Sequence, residues 1–309
     1  MAQAEATQSD GVRAVPSSLE RETKTRTYAG MAWRRFRGNR PAMAGLIVIV
    51  VMVSLALAAG LVASYVTGHE TYEQNLSARF AGIGQDGYLL GSDAFGRDVA
   101  TRLLYGARVS LGVAALSILV ALLIGISWGL VAGYYGGRID NLLMRFVDIM
   151  LAVPTLFLLL LIASLWRMGP ITLAFVIAGV AWVTLSRLVR GEVLSVKERD
   201  YVESARSLGA SNRRVMFRHI LPNIVPIVII WAGLRVPSLI LWEATVSYLG
   251  LGIQQPTPSW GNMLSDAQRV WSHSVPLVFL PGLAIFITVF AINLAGNGLR
   301  DALDPRLGE

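Results

Sequence analysis

The sequence predicts an all-α integral membrane protein with six transmembrane helices. Of the 309 residues, 54% are hydrophobic and only 15% are charged, whereas a soluble domain of this size carries more charge and fewer long apolar runs. Six runs also reach the length of roughly 20 residues that crosses a hydrocarbon core. The chain contains no cysteine, which excludes disulfides and thiolate metal sites.

The predicted spans are residues 42–63, 108–133, 146–166, 169–187, 223–246 and 275–296. The first is free of charge and follows a polar tail, so it is interpreted as a retained span and not as a cleaved signal. The third contains Pro154, which a membrane helix tolerates when neighbouring groups satisfy the freed carbonyl. The second carries Gly125, Gly129 and Gly133 at four-residue spacing, which predicts close packing against another helix.

Positive charge is distributed unevenly among the loops. Eight Lys and Arg residues precede the first full span, and eight more lie at 187–218, between the fourth and fifth spans. The three–four and five–six connections carry one Arg each, Arg167 and Arg269. Because Lys and Arg are retained on the cytoplasmic side, both termini and the 187–222 loop are predicted to be cytoplasmic. The net charge of +7 reflects this bias; it does not indicate nucleic-acid binding, because the cations border the spans.

The 187–222 loop is predicted to form two short helices. Residues 196–208 contain strong helix formers, and Gly209 suits a C-terminal cap. Ser211 can cap a second helix over 212–220, which is expected to stop at Pro222. On pattern alone, a hairpin that lies on anionic lipid and a surface that docks a soluble partner remain equally open.

The residues of this loop resemble a known signature. Glu203, Ser204 and Ala205 are followed after three residues by Gly209, and after nine more by the run HILP. This spacing resembles the E-A-A-x3-G-x9-I-x-L-P signature of ABC importer permeases, with Ser in place of the first Ala and His in place of the Ile. The resemblance implies that the loop forms coupling helices that dock into a groove on a cytoplasmic ATPase. The residues assigned to that role are Glu203, Ser204, Ala205, Gly209, Ile220, Leu221 and Pro222.

Three further stretches, 89–112, 243–264 and 294–307, resemble one branch of that family, the C-type membrane subunit of dipeptide/oligopeptide importers. With the loop, the resemblance covers about residues 30–307 and implies the type I ABC importer permease fold. The implied organisation is a cytoplasmic tail, a first transmembrane helix, an extracytoplasmic loop, a permease core and a second cytoplasmic tail. Their bounds are 1–41, 42–63, 64–107, 108–298 and 299–309.

The resemblance implies one of two membrane subunits of an importer that translocates dipeptides or oligopeptides across the bacterial cytoplasmic membrane. The implied partners are a B-type permease, two ABC ATPases that hold ATP and Mg²⁺, an extracytoplasmic substrate-binding protein and membrane lipid. The chain itself has no G-x-x-x-x-G-K-[ST] phosphate loop, and its three histidines are scattered. No catalytic residue, metal site or cofactor is therefore assigned to this chain.

Two charged residues in or near the fifth span, Arg235 and Glu243, are candidates for the translocation pathway, because intramembrane charges mark pathways or paired polar sites. The alternative is that Arg235 snorkels or pairs with a neighbouring chain and Glu243 lies at the interface. For function, the same fold with nickel, haem or glutathione as cargo stays open. An ion-coupled secondary transporter would require internal repeats and membrane carboxylates, which are not evident.

Overall fold

The computed structural model describes residues 28–303, so the cations before Tyr28 and Arg306 lie outside the described residues. Within these residues the structure is helical and has no β-sheet, only two isolated β-bridges. The helices are α1 Tyr28–Gly38, α2 Arg40–Leu57, α3 Ala59–Val62, α4 Val99–Tyr135, α5 Gly137–Ala152, α6 Thr155–Leu165, α7 Pro170–Val196, α8 Asp200–Ser207, α9 Asn212–Arg214, α10 Leu221–Tyr248, α11 Trp260–Gln268 and α12 Val275–Leu303. Single π turns cover Ala63–Thr67 and Val215–Ile220, and a 3₁₀ turn covers Leu76–Ala78.

Five of the helices in the described range are long and apolar enough to cross a membrane, and there are six spans if one bent helix pair counts as a span. That pair, α5 and α6, bends by 86°, so the third predicted span, 146–166, is not one straight helix. The break falls at Val153, whose φ of −93° and ψ of 128° are extended. The ring of Pro154 disfavours helical angles in the residue before it, which explains where the helix breaks.

Two predicted spans are parts of longer helices. The span predicted at 108–133 belongs to α4, which has 37 residues, so the predicted boundary between loop 64–107 and core 108–298 falls inside a helix. Helix α4 begins early because Asp98 Oδ2 accepts a 2.6 Å hydrogen bond from the Thr101 amide, which caps its first turn. At 1.5 Å per residue, α4 is about 55 Å long. The span predicted at 169–187 likewise continues in α7 to Val196.

The glycine stripe of α4 lies against α7. A Cβ atom at Gly129 would lie 2.5 Å from the Ser186 carbonyl oxygen, and one at Gly125 would lie 2.8 Å from Leu185 Cδ2. Only glycine permits this separation of the two backbones, as in close helix pairs of membrane proteins. The stripe therefore brings together two helices of the same chain.

Helix α2 packs along α12, so the first span lies beside the last. A Cβ atom at Gly45 would lie 2.5 Å from the Ala291 carbonyl oxygen, which again marks close approach of backbones.

At the end of α4 that carries Val99, the segment from Gly68 to Asp98 and helix α11 fold together. At the other end, Tyr134 belongs to a cluster with α7, α8 and the start of the 212–248 helix. The two ends of α4 thus carry two separately packed regions.

Candidate coupling surface and buried polar sites

The region at the Tyr134 end of α4 is a knob formed by α8, the turn at 208–211 and the first turns of the following helix. Its inner face is apolar: Val202, Val215 and Ile220 are each fully buried in one cluster with Val196 of α7. Burial of these side chains fixes the knob against the helix ends instead of leaving it free in solvent.

The turn of the knob is a Schellman motif. Gly209 has a φ of +81°, an angle that glycine adopts without the penalty of a Cβ atom. Its amide donates to the Arg206 carbonyl at 2.9 Å, and the Ala210 amide donates to the Ala205 carbonyl at 3.0 Å, the paired bonds of this motif. Ser211 Oγ then accepts a 3.4 Å bond from the Arg214 amide. The structure confirms the predicted cap at each end of the turn.

The predicted end of the second helix at Pro222 is wrong. The helix runs without interruption from Asn212 to Tyr248, so the knob leads directly into a span. A π turn over Val215–Ile220 precedes the proline, and the Leu221 amide donates to the carbonyl of Met216, five residues back. Pro222 sits at the second position of α10; a local change of hydrogen-bond register is one way in which a continuous helix accommodates a proline.

The outer face of the knob is exposed and mixed in character. Glu203, Ser204 and Gly209 face outward, and the Leu208 side chain is 89% exposed. Phe217 is 55% exposed and shares a shallow depression with Arg213 and Arg214. The other residues of the signature are inside or at the edge: Ala205 and Leu221 are half-buried, Ile220 is buried and Pro222 is exposed.

Polar contacts fasten the knob to the end of α4. The Tyr134 hydroxyl donates a 2.8 Å bond to Asn212 Oδ1, and the Arg206 guanidinium carbon lies 5.1 Å from the centre of the Tyr134 ring. Lys197 Nζ donates to the Gly133 carbonyl at 3.2 Å. The sequence analysis missed Tyr134 and Asn212, because they are 78 residues apart and no local pattern pairs them.

Arg235, in α10, is half-buried and lies against an aromatic ring. Its guanidinium carbon is 4.5 Å from the centre of the Trp242 ring, a cation–π contact. Its Nε has no hydrogen-bond partner, and within residues 28–303 no carboxylate lies at salt-bridge distance from it. Arg235 is thus a cation with free hydrogen-bonding capacity inside a span.

Glu243 lies in a separate, closed environment. Its side chain is fully buried at the junction of α4, α10 and α11. Ser247 Oγ donates to Oε1 at 2.9 Å, and the hydroxyls of Ser110 and Ser259 lie close by, although Oε2 has no hydrogen-bond partner. Eight residues, or about 12 Å of helix, separate it from Arg235, so the structure does not bring the two pathway candidates together.

Comparison with known proteins assigns the family. The model of the family described as binding-protein-dependent transport system inner membrane component matches residues 125–309. The chain belongs to this family. A second model, the N-terminal TM domain of oligopeptide transport permease C, matches residues 27–82. The two models match both ends of the chain and leave the segment 83–124 between them unmatched.

Curated relatives match nearly the whole permease. The oligopeptide transport system permease protein OppC of Bacillus subtilis is 38% identical over 276 residues, 89% of each chain. The di/tripeptide transport system permease protein DppC of Pseudomonas aeruginosa is 41% identical, over 89% of this chain and 91% of its own length. The glutathione transport system permease protein GsiD of Pectobacterium atrosepticum is 36% identical, over 93% of this chain and 94% of its own.

A solved structure of the MetNI methionine ABC transporter shares the fold of the permease. It aligns with a TM-score of 0.53 and 19% identity, covering 65% of this chain and 96% of the other. The predicted fold class, an ABC importer permease built from membrane helices, is confirmed by this likeness and by the family match. The chain is a multi-pass membrane protein in a family of transporter permease subunits, whose members are not themselves catalytic.

Proposed function

We propose that this chain is the C-type permease subunit of an ATP-driven importer of dipeptides or oligopeptides in a bacterial cytoplasmic membrane. The names and the 37–38% identity of the dipeptide and oligopeptide permeases of Bacillus subtilis support this cargo. The proposed assembly contains a B-type permease, two ABC ATPases and an extracytoplasmic substrate-binding protein. ATP and Mg²⁺ are bound by the ATPases, and this chain holds no cofactor.

The observation that carries the proposal is the exposed face of a firmly packed knob. The Leu208 side chain is 89% exposed. A partner that covers it stabilises the complex by about 25 cal/mol per Å² of apolar surface that is buried. Glu203 and the arginines beside it give the same face charge for specific pairing. A groove on a soluble ATPase fits this mixed surface. The proposal therefore places the knob and both termini in the cytoplasm, as the Lys and Arg distribution also favours.

The packing of the knob suggests how ATP-driven movement reaches the spans. Helix α7 leads into the knob and the 212–248 helix leads out of it. Tyr134, at the end of α4, is hydrogen-bonded to the knob. A displacement of α8 by a docked ATPase therefore acts on three membrane helices at once. We infer that closure of the ATPases shifts these helices together and converts an inward-facing cavity to an outward-facing one.

Cross-linking tests the docking step directly. Because the chain has no cysteine, Leu208→Cys supplies a single thiol on the exposed turn, and Leu123→Cys, 70% exposed on α4, is a matched control within the membrane. A bifunctional thiol reagent is expected to join residue 208 to a cysteine in the ATPase groove, with a yield that changes with nucleotide. Position 123 is expected to give no such product. A transport-competent Leu208→Cys complex without the cross-link would contradict docking at the knob.

Uptake assays test the cargo separately. A strain that lacks only this subunit is expected to lose uptake of labelled di- and oligopeptides and to regain it with the wild-type chain. Glutathione is the second candidate cargo, because the glutathione permease of Pectobacterium atrosepticum is 36% identical to this chain. Loss of glutathione uptake with normal dipeptide and oligopeptide uptake would select that alternative. The ligand retained by the co-purified binding protein gives an independent identification.

A further inference from the structure

A cavity of about 170 Å³ lies at the end of α4 that is remote from the knob. Its walls come from the 93–97 loop, the first turn of α4, helix α11 and the start of α12. Part of the lining is apolar and includes Val99, Met263, Val270 and Leu277. The rest is charged, and the two kinds of side chain meet in one space.

One arginine of this cavity is well satisfied by its neighbours. Arg97 donates from Nε to Asp93 Oδ2 at 2.6 Å and from Nη1 to Gln255 Oε1 at 3.0 Å. Its Nη2 lies 3.8 Å from Asp266 Oδ2. Asp93 Oδ2 and Gln255 Oε1 are therefore already engaged with Arg97, and Asp266 Oδ2 accepts a hydrogen bond from Gln255 Nε2.

Arg102 is in a different position. Its side chain is 2% exposed, and its nearest carboxylate contact is 3.6 Å, from Nε to Asp93 Oδ2. Nη1 and Nη2 have no hydrogen-bond partner. A buried polar group without a partner costs about 1–3 kcal/mol, and a charged one costs more. Such a group calls for a source of the missing acceptors, which an ordered water, an ion or a bound ligand supplies.

The charges around the cavity indicate the kind of ligand. Three arginines, Arg97, Arg102 and Arg269, face two carboxylates, Asp93 and Asp266, which leaves one positive charge in excess. A single negative charge balances this set, whereas a dianion would leave a net charge of about −1. The planar fork of a guanidinium matches the two oxygens of a carboxylate, and the apolar wall suits a short aliphatic substituent.

We propose that this cavity is a binding site for a carboxylate that carries a short apolar group, with the guanidinium of Arg102, whose terminal nitrogens are buried at the cavity wall, as its charge partner. The proposal rests on the cavity and its charges and does not depend on the cargo or on the ATPase partner. Two sources present this chemistry: the free C-terminus of a short peptide and a small aliphatic acid.

The test uses the transporter purified with its partner subunits in nanodiscs, without the binding protein. Binding of isovalerate is measured by ligand-observed NMR, with uncharged isovaleramide as the isosteric comparison. We expect saturable binding of isovalerate and none of isovaleramide. Arg102→Leu is expected to weaken isovalerate at least about tenfold, the effect of losing a charge-assisted hydrogen bond. The exposed Arg108 of the same helix does not line the cavity, so Arg108→Leu is the matched control and is expected to bind normally.

A second variant guards against a general effect of losing a buried arginine. Val270→Phe adds volume to the apolar wall from a half-buried position and leaves every charge in place. It is expected to block isovalerate while the complex assembles normally. Equal binding of isovalerate and isovaleramide, or wild-type affinity in Arg102→Leu, would overturn the proposal.

Competition then separates the two sources. Glycyl-leucine and its C-terminal amide differ only in the group that Arg102 would bind. Displacement of isovalerate by the free dipeptide, and not by the amide, would assign the site to a peptide terminus. Binding of isovalerate that neither peptide displaces would assign it to a small acid. Peptide uptake does not enter this measurement, so its outcome is independent of the proposed transport function.

Discussion

The Tyr134 hydroxyl binds Asn212 Oδ1 at 2.8 Å and joins the end of α4 to the first turn after the Gly209 bend. The same ring lies under Arg206 at 5.1 Å, so one side chain contacts both helices of the knob. Tyr134 is buried, whereas Tyr135 beside it is 48% exposed. We therefore expect the last turn of α4 to follow movement of the proposed coupling surface.

Removal of this hydroxyl is expected to weaken coupling without loss of the fold. Tyr134→Phe keeps the ring over which Arg206 lies and removes one hydrogen bond, worth about 1 kcal/mol. We expect normal assembly and a fall of about two- to fivefold in substrate-stimulated ATP hydrolysis by reconstituted complexes, since 1 kcal/mol corresponds to roughly a factor of five. Tyr135→Phe is the control and is expected to have no effect. An equal fall in both variants would argue against a specific role for the bond.

The glycine stripe of α4 provides a test of the helix pair at the centre of the fold. A side chain at Gly129 would collide with the Ser186 carbonyl and with Val189, the latter at 2.7 Å. Gly129→Val is therefore expected to lower the thermal stability of the complex by separating α4 from α7, as overpacking typically costs about 1–3 kcal/mol. Gly112 lies on the same helix, and a Cβ atom there would have no neighbour within 4 Å. Gly112→Val should leave the melting temperature of the complex nearly unchanged, and an equal loss there would contradict the packing argument.

Features that depend on neighbouring residues were predictable from the sequence. The Gly209 turn and the Ser211 cap need only local backbone and side-chain chemistry, and both were identified correctly. The 86° bend at Pro154 and the unbroken helix through Pro222 were not. A proline can end, bend or sit within a helix, and the π turn that accommodates Pro222 leaves no distinct mark in the sequence.

The buried polar sites could not be predicted from sequence patterns, because their residues come from distant segments of the chain. Arg102 and Gln255, which line one cavity, are far apart along the chain. Glu243 pairs locally with Ser247, but the Ser110 and Ser259 hydroxyls near it come from other segments. The sequence marked Glu243 as a charge near the membrane and could not show that it is enclosed.

Arg235 is expected to affect transport and not assembly. It is half-buried, and within residues 28–303 no carboxylate pairs with it, so its charge is available to an anionic group that passes through the complex. Arg235→Ala should reduce uptake of peptides with a free C-terminus, while ATPase retention in the purified complex stays normal. Arg235→Lys keeps the charge and should recover part of the uptake. Unchanged uptake of several peptides by Arg235→Ala would leave only the packing against Trp242 as its role.

Thiol labelling tests the orientation of the chain. Single cysteines at Ser211, in the knob, and at Gln254, in the exposed turn before α11, place probes at opposite ends of the bundle. In intact cells, an impermeant reagent is expected to label residue 254 and to reach residue 211 only after the membrane is opened. The reverse pattern would invert the proposed topology and would remove the knob from the ATPase side.

Asp266 is expected to make ligand binding in the cavity at the far end of α4 depend on pH. Burial raises the pKa of its carboxyl above the ordinary value, against the opposing effects of Arg102 and Arg97; Asp93 raises it further and Arg269 lowers it. Protonation removes one of the two competing negative charges, so the affinity for the ionised form of isovalerate, calculated after correction for protonation of the ligand itself, should rise as pH falls through this raised pKa. Asp266→Asn should bind more tightly at neutral pH and lose that part of the pH dependence, measured by titration at several pH values. Equal pH profiles in the variant and the wild type would contradict this assignment.

The Gly209 turn gives the sharpest test of the proposed coupling surface. At a φ of +81° with no atom within 4 Å of an added Cβ, a substitution meets no steric neighbour and acts through backbone strain alone. Valine is strongly disfavoured at positive φ, whereas asparagine visits this region readily. Gly209→Val is therefore expected to distort the angle between α8 and the 212–248 helix, and to abolish substrate-stimulated ATP hydrolysis and uptake in a complex that still inserts and pairs with its sister permease. Gly209→Asn should retain most of both activities. Wild-type turnover and uptake in Gly209→Val would show that the knob is only a hairpin at the membrane surface.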